Sequence, residues 1–215
     1  MIFSSALAIL LALRGRHILA GIVLGFGVLA RHLTLFAGAA LLVAQLRQRG
    51  LRPKSFFLSF AILGLVIPWL FLGAYCLYLY LTFDDALMFW KMRSDWGSLA
   101  WWGITTLLTT TESNEHIPIM YSYLPIALLP TIGAFALLAK RQWYELASFA
   151  IVLLVVLWYT GIWGLGRYSA SCWPAFLPLG VWLSKRPSWQ APIIALLAVL
   201  QGLFFFLFSH GYPIL

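Results

Sequence analysis

The amino-acid sequence predicts an all-α, polytopic transmembrane bundle of about six spanning helices, with a short membrane-dipping helical hairpin over 18–46. Three observations carry this prediction. First, 63% of the 215 residues are hydrophobic and 9% are charged, with a mean hydropathy of +0.93. Soluble domains carry about 25% charged residues, so this chain lacks the polar surface that a water-facing fold needs. Second, the apolar runs do not alternate with period two, as barrel strands do; Ser55 to Phe83 is apolar on every face. Third, ten of the 14 Lys and Arg residues fall in four clusters between apolar runs.

The apolar segments are 1–13, 18–30, 33–46, 55–82, 121–139, 144–163, 170–183 and 190–209. Basic clusters punctuate them: Arg14, Arg16 and His17; Arg47, Arg49, Arg52 and Lys54; Lys140 and Arg141; Lys185 and Arg186. Placing all four clusters on the cytoplasmic side follows the positive-inside rule. Segment 55–82 then exits, and 83–120 forms an outer loop. Segments 121–139, 144–163, 170–183 and 190–209 alternate without conflict. Five of the six acidic residues lie in that outer loop. The whole of 1–215 reads as one transmembrane domain. Its first segment, MIFSSALAILLAL, has its positive charge after the apolar run, the wrong polarity for a secretory signal. It reads as a helix entering from outside, as if earlier residues preceded it.

Residues 18–46 break the alternation, because both ends carry basic clusters. Arg31 and His32 sit midway, so two short helices, 18–30 and 33–46, are expected to form a hairpin. Each would be roughly 20 Å long, too short for a hydrocarbon core of ~30 Å. The alternative is one long tilted helix with a buried Arg. The net charge of +8 is assigned to cytoplasmic loops. Nucleic acid is excluded as a partner, since no soluble basic face with interleaved aromatics is present. Cys76 and Cys172 read as small core residues.

Charges at membrane depth are functional candidates. Arg31 follows Gly21, Gly25, Gly27 and Ala30, small residues that allow close helix approach. Its guanidinium suits a phosphate bidentately, or it pairs with a loop carboxylate or a helix C-terminus. Arg167 lies near the outer end of a segment, beside Tyr168 and after Gly161, Gly164 and Gly166. Phosphate contact and snorkelling to the interface both fit it. The outer loop mixes Asp84, Asp85 and Asp95 with Lys91, Arg93, Phe89, Trp90, Trp96, Trp101 and Trp102. It reads either as an interfacial amphipathic helix or as a sugar and head-group site. Glu112 to His116 holds two carboxylates and an imidazole, without a dedicated zinc spacing. It reads as a solvated loop, and no metal site is assigned. His17 and His210 read as interfacial bystanders.

These motifs come in a recognisable order. Arg14-Gly15-Arg16 forms a basic turn, followed by a Gly/Ala helix and Ala30-Arg31 at a break. Asp85-Ala86-Leu87, Phe89 and Trp96-Gly97 follow, then Arg167-Tyr168 and Pro174-Ala175-Phe176, and a last helix with Phe204 to Phe208 before Gly211. In this order the chain resembles the C-terminal part of GT-C type membrane glycosyltransferases, the GPI second-mannose transferase family and its bacterial relatives. Two positions depart from that pattern. Ala30 stands where a Thr usually precedes the Arg, and a Gln before the tryptophan-glycine pair is absent, with Lys91 and Arg93 nearby.

The resemblance implies transfer of a mannose-like sugar from a polyprenyl-phosphate donor to a lipid-linked or extracytoplasmic acceptor. That donor is a substrate, and no further cofactor is implied. It implies substrate-binding roles for Arg31, Asp85, Trp96, Arg167 and Tyr168: the arginines against the lipid phosphate, the others lining the sugar or head-group site. Such enzymes place the catalytic carboxylate in a first outer loop of the N-terminal half, which this sequence does not contain. The catalytic residue is therefore left unassigned: by the resemblance, the chain is a truncated product with a missing N-terminal half, is completed by another polypeptide as a partner subunit, or lacks activity. The lipid bilayer and a lipid-linked sugar are the implied partners. The resemblance points to a bacterial plasma membrane, with the ER membrane as the eukaryotic counterpart. Two other classes stay open: a transporter or lipid flippase, and a non-catalytic membrane subunit.

Overall fold

The computed structural model describes residues 1–49, 60–89, 91, 117–160, 169 and 171–209. These are helical throughout, with no strand among the described residues. The α-helices are α1 (Ile2–Leu13), α2 (His17–Ala30), α3 (Gly38–Arg49), α4 (Leu63–Phe83), α5 (Ile117–Leu137), α6 (Tyr144–Thr160), α7 (Leu177–Ser184) and α8 (Pro187–Ser209). Short 3-10 turns lead into α3, α4, α6 and α7.

α1 stops at a glycine. Gly15 adopts φ +74°, a left-handed conformation that costs a glycine little. The Arg16 amide then donates to the Leu11 carbonyl and the Gly15 amide to the Ala12 carbonyl, each at 2.9 Å. This double closure is a Schellman cap, and it turns the chain straight into α2.

α2 ends as the sequence predicts. Ala30 is its last residue, and Arg31 is extended at φ −160°, ψ 115°. The next limb differs in detail from the expected 33–46 helix. It begins as a 3-10 helix over His32–Ala37 and becomes α-helical over Gly38–Arg49. Three residues per turn align Thr34 with Ala37, and both are fully buried. The two limbs return to a common end. The Nε2–H of His17, at the start of α2, donates to Oε1 of Gln48, near the end of α3, over 2.9 Å. His17 is thus buried and bonded, which corrects its reading as an interfacial bystander.

Small residues set the packing. A Cβ on Gly21 would lie 2.5 Å from the Gly64 carbonyl oxygen, and one on Gly25 would lie 2.7 Å from the Phe71 ring. α2 and α4 therefore cross nearly backbone on backbone. The core around α1, α2, α3, α5 and α6 is rich in alanine: Ala8, Ala12, Ala40, Ala44, Ala134 and Ala147 are all buried. Phe149, Leu153 and Leu157 of α6 fill the space between them. Cys172 is buried in this core with a free thiol, and Cys76 is half-buried.

Large apolar side chains also point outward. Trp69, Leu70 and Leu81 on α4 and Ile194 and Val199 on α8 are each more than 60% exposed. Among the described residues, two helical stretches are long and apolar enough to cross a membrane: Phe60–Phe83 and Arg141–Trp158. The expected span 170–183 resolves differently. Its described part is a 3-10 turn, Trp173–Phe176, followed by the eight residues of α7. Pro174 and Pro178 lack amide donors, so each is accommodated in a first helical turn. The outer loop, expected to run to 120, ends earlier, since α5 begins at Ile117.

Candidate functional site

The hairpin separates the described charges into two groups. At its open end, Gln48 closes the chain from three sides. Its amide nitrogen donates to the carbonyls of Ala12 and Leu13, at 2.9 and 3.2 Å, while its oxygen accepts from His17. Next to it, Nη1 of Arg47 donates to both oxygens of Glu145, at 2.7 and 2.9 Å. The Glu145 side chain is 3% exposed and sits in the first turn of α6, where the helix dipole favours a carboxylate. Gln45 donates from α3 to the Ala61 carbonyl at the foot of α4, at 2.8 Å. Three of the expected basic clusters, represented by Arg14, Arg47 and Lys140, thus share one end of the bundle: Gln48 joins the first to α3, and Arg47 lines a pocket with Lys140.

The closed tip of the hairpin lies against the start of the acidic segment. The His32 ring sits 5.7 Å from that of Phe89, which lies in turn 5.9 Å from Tyr75 of α4. The chain reaches Phe89 through a built stop. Asp84 adopts a left-handed φ of 55° at the C-cap of α4, and its amide donates to the Tyr80 carbonyl over 2.9 Å. Asp85 then forms an Asx turn, accepting from the Leu87 amide at 3.0 Å. Its other oxygen accepts from the Lys91 ammonium at 2.7 Å. The Lys91 hydrogen bond, then the Leu87 amide, hold the Asp85 carboxyl below the usual carboxylate range.

Two of the five expected substrate-binding residues, Arg31 and Asp85, therefore belong to one end of the molecule, linked through His32 and Phe89. Arg31 is partly exposed and ends α2, its amide donating to the Gly27 carbonyl at 2.9 Å. Trp96, Arg167 and Tyr168 lie outside the described residues, as do Glu112 to His116. Chemically, the tip holds a guanidinium and an ammonium–carboxylate pair whose carboxylate oxygens can also accept hydrogen bonds from hydroxyls.

Several structural partners escape the sequence. Glu145 is the one acidic residue outside the Asp84–Glu115 loop. That isolation marks Glu145 as a partner for one of the basic clusters, without saying which. The Gly21–Gly64 crossing has a weaker trace, a glycine within each of two facing apolar runs. Nothing local announces Gln48 as the residue that closes the hairpin.

A second feature sits between α5 and α6. Thr131, Phe135, Ile151, Val155 and Trp158 line an apolar groove of about 460 Å³. Trp158 Nε1–H donates to Thr131 Oγ1 at 3.0 Å, and that hydroxyl donates back to the Ala127 carbonyl.

No protein-family model matches the chain, and no curated protein or solved structure matches it significantly.

Proposed function

We propose that the chain is an integral membrane protein and part of a GT-C type glycosyltransferase, binding a polyprenyl-phosphate sugar at the tip of its broken hairpin. The observation that carries this reading is the extended Arg31 between two helices, with its neighbour His32 packed on Phe89 of the Asp85 segment. A helix break at membrane depth is tolerated where it is buried in protein or lines a wet cavity. An Arg at such a break brings a guanidinium to that end of the bundle, and a departing lipid phosphate requires a cation beside it. Asp85 is ionised and edges the same end, as a group lining a sugar or head-group site would.

The bilayer arrangement rests on the outward apolar surface and the grouping of basic residues opposite the Arg31 tip. In this reading about six helices cross, the hairpin enters and returns, and Asp85 faces the extracytoplasmic side. Trp96, Arg167 and Tyr168 join the same site through the family pattern. The catalytic base lies outside this set.

Binding tests the reading without requiring turnover. Purified protein in nanodiscs is labelled with a photoreactive polyprenyl-phosphate-mannose analogue. Labelling should fall roughly tenfold in Arg31→Ala and fall likewise in Arg167→Ala, while membrane insertion is unchanged. Undiminished labelling of both variants rejects the phosphate assignment. Single cysteines at positions 91 and 141 should react with impermeant maleimide from opposite faces; reaction from one face rejects the topology.

A further inference from the structure

The end of the bundle opposite Arg31 carries a pocket that the glycosyltransferase reading does not use. Arg47 of α3 and Lys140, Arg141 and Gln142 of the α5–α6 connection line an open hollow of about 550 Å³. Glu145 offsets one of the three cations, through Nη1 of Arg47 alone. Among the described residues Nη2 of that guanidinium has no partner, so half of its fork remains available. Lys140 lies 4.8 Å over the Trp143 ring, which fixes the ammonium while leaving its outer face open. Arg141 adds a second fork and Gln142 an amide donor. Among the described residues, the walls therefore supply donors and two uncompensated positive charges, and no carboxylate.

We propose that this pocket binds the phosphodiester head group of an anionic bilayer lipid. A lipid fits better than a free phosphate because of what flanks the cations. Trp143 and Tyr144 follow directly, residue types that settle at the membrane interface. Tyr144 is 40% exposed. The apolar stretch Arg141–Trp158 rises from the same point. A head group held by Arg47 and Arg141 would have its acyl chains alongside that stretch. Basic hollows between helices on the cytoplasmic side are suited to such lipids. The bound lipid would bridge α3 to the α5–α6 connection, reinforcing the Arg47–Glu145 contact.

This inference rests on the membrane reading but not on the sugar-donor site. Native mass spectrometry of the whole chain in detergent, with added phosphatidylglycerol, phosphatidylcholine or inorganic phosphate, tests it. Phosphatidylglycerol adducts should survive at low concentration, and phosphatidylcholine adducts should not. The exposed double variant Lys140→Gln/Arg141→Gln should weaken phosphatidylglycerol binding about thirtyfold, while Lys185→Gln, an exposed cation outside the pocket, binds it as the parent does. Equal binding of the two lipids, or of inorganic phosphate in competition with phosphatidylglycerol, overturns the proposal. So does unchanged binding by the double variant. Carbonate extraction separates the two failures: protein released from membranes rejects the membrane reading. Protein retained there without lipid preference rejects the head-group pocket alone.

Discussion

Gln48 and His17 lie 31 positions apart and share a hydrogen bond of 2.9 Å that closes the Arg31 hairpin at its open end. The same amide covers the Leu13 carbonyl, which a helix C-terminus otherwise leaves to solvent, and gives the Ala12 carbonyl a second donor beside the Gly15 amide. One side chain thus joins the end of α1, the start of α2 and the end of α3. Gln48→Ala removes all of these bonds and is expected to lower stability by roughly 1–3 kcal/mol. Steric-trapping measurements of unfolding in detergent would show it. The double variant with His17→Ala should cost less than the two singles added, because they share a bond. Strict additivity would mean that the contact contributes nothing.

The glycines of α4 should respond oppositely to the same change. A Cβ on Gly64 would meet the His17 carbonyl, whereas one on Gly73 would meet nothing within 4 Å. Gly64→Ala must force α2 and α4 apart, an overpacking cost of about 1–3 kcal/mol. Gly73→Ala only gains helix propensity, up to about 1 kcal/mol. Thermal unfolding of the two variants side by side decides the matter. A loss of comparable size in both would show that the close crossing is absent.

The Asp85–Lys91 pair sets a pH dependence at the hairpin tip. The folded carboxyl titrates below its ordinary value, so its stabilising contribution is complete above the unfolded pKa of about 3.9. It is lost as the pH falls through the lower folded value. Local order around Phe89, followed by the NMR shift of a fluorinated Phe89, should hold at neutral pH and decay in acid. Lys91→Gln should move that decay to higher pH. An unmoved midpoint would place the Asp85 shift elsewhere than at Lys91.

How much of this was legible follows from the range of each signal. The break at Arg31 is local: a charge between two apolar runs with basic ends, and the structure ends α2 at that position. The grouping of Arg14, Arg47 and Lys140 is legible for the same reason, since each cluster closes an apolar run. Gln48 and Glu145 are long-range partners, 31 and 98 positions from His17 and Arg47, and no periodicity encodes such pairing. Segment 170–183 reads as one apolar run because hydropathy is blind to hydrogen bonding, whereas its described part is a 3-10 turn over Trp173–Phe176 that leads into α7. At the site, Arg31 and Asp85 were singled out separately. Their proximity depends on a His32–Phe89 ring contact that composition alone cannot supply.

Arg47 and Glu145 form the one described ion pair with a buried member, and its two halves should not be equivalent. Removing the cation in Arg47→Ala leaves the Glu145 carboxylate 3% exposed without its partner. A buried charge stripped of its partner costs several kcal/mol. Because Arg47 itself is 40% exposed, water relieves part of this, and about 2–3 kcal/mol is expected. Glu145→Gln removes the buried charge along with the pairing and keeps an oxygen for Arg47 Nη1. It should cost less, about 1 kcal/mol. The double variant Arg47→Met/Glu145→Gln should recover most of the Arg47→Ala loss, since neither side then buries an unpaired charge. Unfolding free energies of the three variants, measured above and below 0.5 M salt, would separate these terms. The Arg47→Ala deficit should change little with salt if the carboxylate is buried in solution. A deficit that vanishes in high salt would mean that the pair is solvent-exposed, and that α3 is not docked on α6 through it.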